Sequence, residues 1–365
     1  MLESHLRSAR ETLFRLRQEL KNAVLLWRPP SAPGQVGQPP SAFENSAPAA
    51  AALRGTDYAK EVSRLAQQIR RHRFPLLGLT LDTGPTIQWR RDYTSGKETG
   101  TDYFRRIPYL DATRAGDHKI IWELNRHQHL VLLAQAYLLD SDGANLAEVF
   151  AQLESWTESN QYQRGINWAS ALEVAFRALS WFWIYVLVGD QMPEGLRGRF
   201  LNSLYQHARH IENNLSFYFS PNTHLLGEAV ALHTLGSLFP ECRDIGAQVV
   251  ADQMDKQVRD DGSHFEQSTY YHLYALDMFL FHAIQADASP AYRAKLERMA
   301  EYLHAILGPQ RTLSFVGDDD GGRFFHPFGR RARFGRATLA TCSVLFNRPE
   351  WLAARDAQPV FSPAL

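Results

Sequence analysis

The segment from Ala171 to Val188 constrains this chain more than any other. Phe176, Leu179, Trp181, Phe182, Trp183, Ile184, Tyr185 and Val186 leave a helix almost no polar stripe, so the helix must be covered on more than one side. From Asp117 onward the same helical patterning recurs almost without interruption. Apolar spacing predicts helices over 118–139, 144–158, 167–188, 194–213, 222–237, 243–260, 264–285, 289–306 and 335–346. Paired helices in two concentric layers would bury so many apolar faces. No fixed-period repeat is visible, which argues against a regular solenoid. The expected fold class is all-α.

Upstream the pattern is less uniform. Leu6, Leu13, Leu16, Leu20, Val24 and Leu25 predict an amphipathic helix over 4–27. From Arg28 to Gly55 the chain is rich in Pro, Ala, Gly and Ser, a composition that reads as a mobile linker or long surface loop. Helix is expected again over 57–72. Pro75 to Trp89 reads as extended, with apolar runs broken by Gly78, Gly84 and Pro85. The expected organisation is a helix over 1–27, a linker over 28–56, one helical domain over 57–350 and a tail over 351–365.

Composition excludes some functions. Lys plus Arg (39) balances Asp plus Glu (39), which removes the basic excess of a dedicated nucleic-acid binder. No window reaches the ~20 consecutive apolar residues of a membrane span. Charged residues interrupt Met1 to Leu20, so no secretory signal is visible. The expected compartment is the cytoplasm, or the periplasm or exterior if the amino terminus has been trimmed. Cys242 and Cys342 could pair at most once. Oligomeric state is not legible.

Three windows place polar residues where plain helix packing does not need them. In Ser220 to Ala229, Ser220 or Asn222 can cap a helix and bring His224 to its positive end; local hydrogen bonding by His224 is the plainer alternative. In Asp260 to Tyr274, Gln267, Tyr271 and Tyr274 share one helical face, with Glu266 and Tyr270 on the next stripe. Such a set suits proton transfer and sugar hydroxyls, or amphipathic packing. In Phe315 to Arg323, Asp318, Asp319 and Asp320 precede two glycines, but the EF-hand pattern is absent. A charged loop braced by Arg323 accounts for it equally. Dinucleotide, P-loop, GxSxG, HExxH and CxxC signatures are missing.

Taken in order, these windows resemble the heparinase II/III family of polysaccharide lyases. The residues concerned are Gly116 to Arg126; Asn167-Trp168 with Glu173 and Arg177; Asn222 to Leu225; Asp261 to Gln267 with Tyr271-His272; and Gly317-Asp318 with Gly322-Arg323. The resemblance runs from about Pro75 to Arg336. It implies an incomplete (α/α) toroid of paired helices with a sugar-binding cleft, lacking the family's C-terminal β-sandwich, and β-elimination at a uronic acid. It further implies that Tyr271 serves as acid or base, that His224 holds the substrate carboxylate or acts as base, and that Asn222 or Thr223 neutralises that carboxylate. Arg126, Arg177 and Glu123 match family positions as substrate contacts or as links between helix layers. His264, Glu266 and Gln267 would line the cleft.

Trp122 and Trp168 are candidates to stack on sugar rings, or core residues. The expected partner is an acidic polysaccharide. No cofactor is expected from these residues; a metal would belong to the family's β-domain. Two further functions stay open: a non-catalytic glycan-binding or assembly protein, and a glycoside hydrolase with paired carboxylates such as Glu123 and Asp319.

Overall fold

The computed structural model describes residues 8–44 and 46–353. Residues 4–7 of the expected first helix, and 354–365 of the expected tail, lie outside the described residues. Helices dominate: α1 (Ala9–Trp27), α2 (Ser46–Leu53), α3 (Asp57–Ile69), α4 (Ala112–Ala115), α5 (His118–Asn125), α6 (Gln128–Asp140), α7 (Gly143–Ser159), α8 (Ala171–Val188), α9 (Glu194–Asn213), α10 (Thr223–Leu235), α11 (Arg243–Gln257), α12 (Thr269–Gln285), α13 (Pro290–Leu307) and α14 (Phe334–Phe346). The extended segment forms one antiparallel hairpin, β1 (Arg73–Leu76) with β2 (Leu79–Asp82), paired Arg73 to Asp82 through Leu76 to Leu79.

Alternate helices make the two layers. α6, α8, α10 and α12 pack side by side, while α7, α9, α11 and α13 pack against them from outside. This is the all-α incomplete toroid. α8 is buried along nearly its whole length, as its lack of a polar stripe requires. Ala171–Gln191 is in fact long and apolar enough to cross a membrane, which the sequence reading did not expect, but 83% of that window is buried inside the protein.

The inner helices all start at one end of the molecule. Arg126, just before α6, reaches Glu173 in the first turn of α8. Asn222, the cap of α10, reaches Glu266 just before α12. Gln128 at the start of α6 donates to the Arg323 carbonyl at 2.8 Å, and Ser268, the cap of α12, donates to the Asp318 carbonyl. The 318–323 loop therefore spans several helix starts.

Three local departures from the expected elements shape that end. The helix expected over 118–139 breaks at His127, whose φ is 59° and whose Nδ1 accepts from Trp181 Nε1 at 2.8 Å. The break leaves Arg126 at the turn, facing Glu173. The helix expected from 264 starts only at Thr269, because Gln267 has φ 54° and Ser268 caps the first turn. The Pro-rich stretch is a fitted strap rather than a mobile linker. Gly37 N donates to the Leu238 carbonyl at 2.9 Å, and the Phe43 ring sits 5.0 Å from Trp183 and 5.5 Å from Phe182.

Candidate active site

Asn222 caps α10 through its side chain, whose Oδ1 accepts from His224 N at 3.1 Å. The same oxygen lies 3.1 Å from His224 Nδ1, and the amide Nδ2 donates to Glu266 Oε1 at 2.8 Å. This network assigns the proton to His224 Nδ1 and leaves Nε2 with its lone pair. Burial holds the imidazole below its usual pKa of 6.5, against opposing fields from Glu173 and Asp320. A neutral imidazole with a free Nε2 is equipped to accept a proton.

Tyr271 follows the Ser268 cap, whose hydroxyl accepts from Tyr271 N at 3.1 Å. The half-buried phenol lies at 3.5 Å from Asp318 Oδ2, a marginal contact. Its pKa is pushed well above 10.0, first by burial and then by Asp320, Asp318 and Glu266. A tyrosine base would need positive charge nearby; carboxylates surround this one, so it stays protonated and suits the donor role. Asn222, which touches His224, bonds Glu266 two residues before the Ser268 cap that holds Tyr271, so the two groups stand at neighbouring helix starts.

Two glycines let the acidic loop approach. Gly317 has φ +79°, and a Cβ there would meet the Gln267 carbonyl at 2.7 Å. A Cβ on Gly322 would meet Arg126 Nη1 at 2.4 Å. Beneath lies a buried triad, in which Arg126 pairs with Glu173 through Nε at 2.7 Å and Nη2 at 2.8 Å and with Glu123 at 2.9 Å. Burial lifts the Glu123 carboxyl to about 7 despite Arg126.

The structure separates the remaining candidates. Trp122 has its indole nitrogen bonded to the Ile166 carbonyl at 3.0 Å and lines a cavity beside His224. Gln267 is exposed, while Thr223 is buried at the first turn of α10. Three expected contacts are instead core. Arg177 is 0% exposed, 4.4 Å from the Trp156 ring, and donates to His207 Nε2 at 2.8 Å. Trp168 is 1% exposed within the same cluster. His264 is 2% exposed and bonds Gln257 Oε1 at 2.9 Å; Gln257 in turn donates to the Asn222 carbonyl at 2.9 Å, so His264 acts behind the site. Arg126 is likewise enclosed. The carboxylate pair considered for a hydrolase is not offered to a sugar: Glu123 is buried on Arg126, and Asp319 is held by Arg331, whose Nε lies at 3.0 Å. Among the described residues no three His, Cys, Asp or Glu side chains converge as a metal site.

Sequence reasoning missed the cavity beside His224. Its volume is about 270 Å³, and Phe14, Arg15 and Gln18 of α1 line it together with Arg105, Asn214 and Ser216. Ser216 is held from below by Glu228, which is 0% exposed, through Ser216 N at 2.7 Å and Oγ at 2.6 Å. Burial raises the Glu228 carboxyl from 4.5 to about 8. A carboxyl with a raised folded-state pKa contributes stability that is fully present below pH 4.5 and lost as pH rises through about 8. Urea unfolding between pH 4.5 and 8 is expected to show this decline in the native protein and a shallower one in Glu228→Gln; parallel slopes would exclude Glu228 as the titrating group.

Residues 41–322 match the family model Heparinase II/III N-terminus. A heparin-sulfate lyase of Bacteroides stercoris is 28% identical over 219 residues, 52% of this chain and 32% of the relative. One of Pedobacter heparinus is 30% identical over 223 residues, 55% of this chain and 33% of the relative. Among solved structures, a heparan sulfate lyase mutant from Pedobacter heparinus superposes with a TM-score of 0.56 at 20% identity, covering 88% of this chain and 51% of that one. The chain thus spans about half of that solved relative, and the curated alignments cover about a third of theirs.

Proposed function

The chain belongs to the heparinase II/III family, and from that premise we propose that it is a polysaccharide lyase cleaving an acidic, uronate-containing glycan by β-elimination. His224 Nε2 takes the C5 proton of the uronate. The C5–H electron pair forms the C4=C5 double bond as the C4–O bond breaks, and the Tyr271 hydroxyl protonates the departing oxygen. The Asn222 amide leaves Glu266 to meet the carboxylate on which charge develops, beside the positive start of α10. Glu266, bonded to Asn222, and the exposed Gln267 beside it are the residues of this set placed to meet the substrate. The observation that carries this reading is the placement of His224 and Tyr271 at neighbouring helix starts tied by the Asn222–Glu266 bond, with the imidazole held neutral and the phenol protonated.

Following ultraviolet absorbance with a panel of uronate polymers tests it, because elimination creates a conjugated double bond and hydrolysis does not. Activity is expected to rise with pH through a midpoint below 6.5, where His224 loses its proton, and to hold until above 10.0, where Tyr271 ionises. An absorbance rise that instead falls across pH 5 to 8 would exclude His224 as base. One observation favours a second reading, a non-catalytic glycan binder: the Asn222 amide is already occupied by Glu266. Glycan binding without any double bond would establish that alternative.

A further inference from the structure

The cavity beside His224 differs in charge from the rim that holds Tyr271. Carboxylates crowd Tyr271, whereas the cavity lining contains Arg15 and Arg105 and no acidic side chain. Both arginines are oriented from behind. Arg15 Nε pairs with Glu11 at 2.8 Å, and Arg105 Nε with Glu19 at 2.9 Å. Arg105 Nη2 also donates to Asn214 Oδ1 at 2.9 Å and Gln18 Oε1 at 3.2 Å. Among the described residues nothing hydrogen-bonds the Nη nitrogens of Arg15.

The α1 wall that carries Arg15 is fixed by buried hydrogen bonds. Asn22 of α1, 0% exposed, exchanges bonds with Asn214 at 2.9 and 3.1 Å and accepts from Gln163 at 3.0 Å. Gln18 Nε2 donates to the Asn213 carbonyl at 3.1 Å. α1 lies outside the segment that matches the family model. Trp122 and Tyr109, 5.2 Å apart, give the cavity an aromatic side. Fixed guanidinium groups beside an aromatic surface suit a sugar ring that bears an anionic group.

We infer that this cavity is a subsite for a pyranose carrying a carboxylate or sulfate, adjacent to the sugar at His224, with Arg15 and Arg105 as its charge partners. The inference rests on the lyase reading only for the position of the reacting sugar; the subsite is a binding site in its own right.

Calorimetric titration of the full chain tests it with four tetrasaccharides: heparan sulfate, tetragalacturonate (carboxylate only), sulfated maltotetraose (sulfate only) and maltotetraose. At least one anionic probe is expected to bind, and the double variant Arg15→Gln, Arg105→Gln to weaken it by about tenfold or more, the loss of charge-assisted bonds. The carboxylate-only and sulfate-only arms identify the group recognised. Arg15→Gln alone, at a partly exposed position on the cavity wall, gives a second variant that spares the Arg105 contacts, and is expected to weaken the same probe. Unchanged affinity in a folded variant overturns the subsite, as does equal binding of maltotetraose or no binding of any anionic probe. The absorbance assay on the same samples separates the two readings: arginine-dependent binding without double-bond formation sinks the lyase and keeps the subsite. Turnover that ignores the arginines does the reverse.

Discussion

Replacing Tyr271 by Phe is expected to lower the rate of double-bond formation by about 10²–10⁴-fold, the range that one positioned proton donor contributes. The substitution removes a single oxygen from a half-buried ring whose hydroxyl has only a marginal contact with Asp318, so folding should be unaffected and glycan affinity nearly so. The loss belongs in kcat rather than KM, because the hydroxyl is needed when the bond to the departing oxygen breaks. His224→Ala should fall comparably, and the double variant should be little worse than either single one, since acid and base act on one step. A Tyr271→Phe enzyme with native kcat would remove Tyr271 from the mechanism. If Tyr271→Phe and His224→Ala instead weakened binding and left kcat alone, both side chains would be ligand contacts only.

The largest expected effect on stability comes from Arg126→Met. Arg126 is the shared cation of two buried carboxylates, hydrogen-bonded twice to Glu173 and ion-paired with Glu123. Removing one partner of a buried pair strands charge in a medium that solvates it poorly, at a cost of about 3–5 kcal/mol. Glu123, already lifted to about 7, can shed its charge by taking up a proton, so the stranded charge falls mainly on Glu173. Urea unfolding at pH 7.5 is expected to report that loss, and adding Glu123→Gln with Glu173→Gln to recover much of it. A deficit below about 1 kcal/mol for the single variant, the size of an exposed pair, would mean that the triad is not as dry as its burial implies.

The helical frame was largely legible because apolar spacing is a local signal. α9 has the expected bounds, α7 and α13 differ from theirs by one residue at each end, and α14 by one residue at its start. α2 (Ser46–Leu53) went unseen inside the stretch expected as a linker, and two other helices were misjudged through a single residue in left-handed conformation: His127 split one, and Gln267 delayed another. Neither residue type announces that conformation. The strap over 28–44 was unreadable for a different reason. Its fit depends on backbone hydrogen bonds such as Gly37 to Leu238, to which side-chain composition is blind.

At the site, turn chemistry alone gave a helix cap at Ser220 or Asn222 and the closeness of His224 to that helix start, and the structure assigns the cap to Asn222. The partner that the Asn222 amide actually holds did not, because Glu266 is far along the chain. Arg177, Trp168 and His264 carry functional-looking side chains, yet their burial is decided by neighbours such as Trp156, His207 and Gln257 that no local pattern identifies. The arginine-lined cavity was the least accessible feature, since it exists only once α1 docks on residues almost two hundred positions away.

The common starting end of α6, α8, α10 and α12 bears on how a molecule with 39 basic and 39 acidic residues meets a polyanion. Monopole attraction is nil, and the outer helices α7, α9, α11 and α13 run back against the inner four, so at any distance their backbone dipoles offset one another. What remains is local, because the roughly half charge at each inner helix start is felt only within about one turn. A polyanion therefore gains from these helix ends only once it is seated among them, and the salt dependence of capture should come from contact-range interactions rather than from long-range steering.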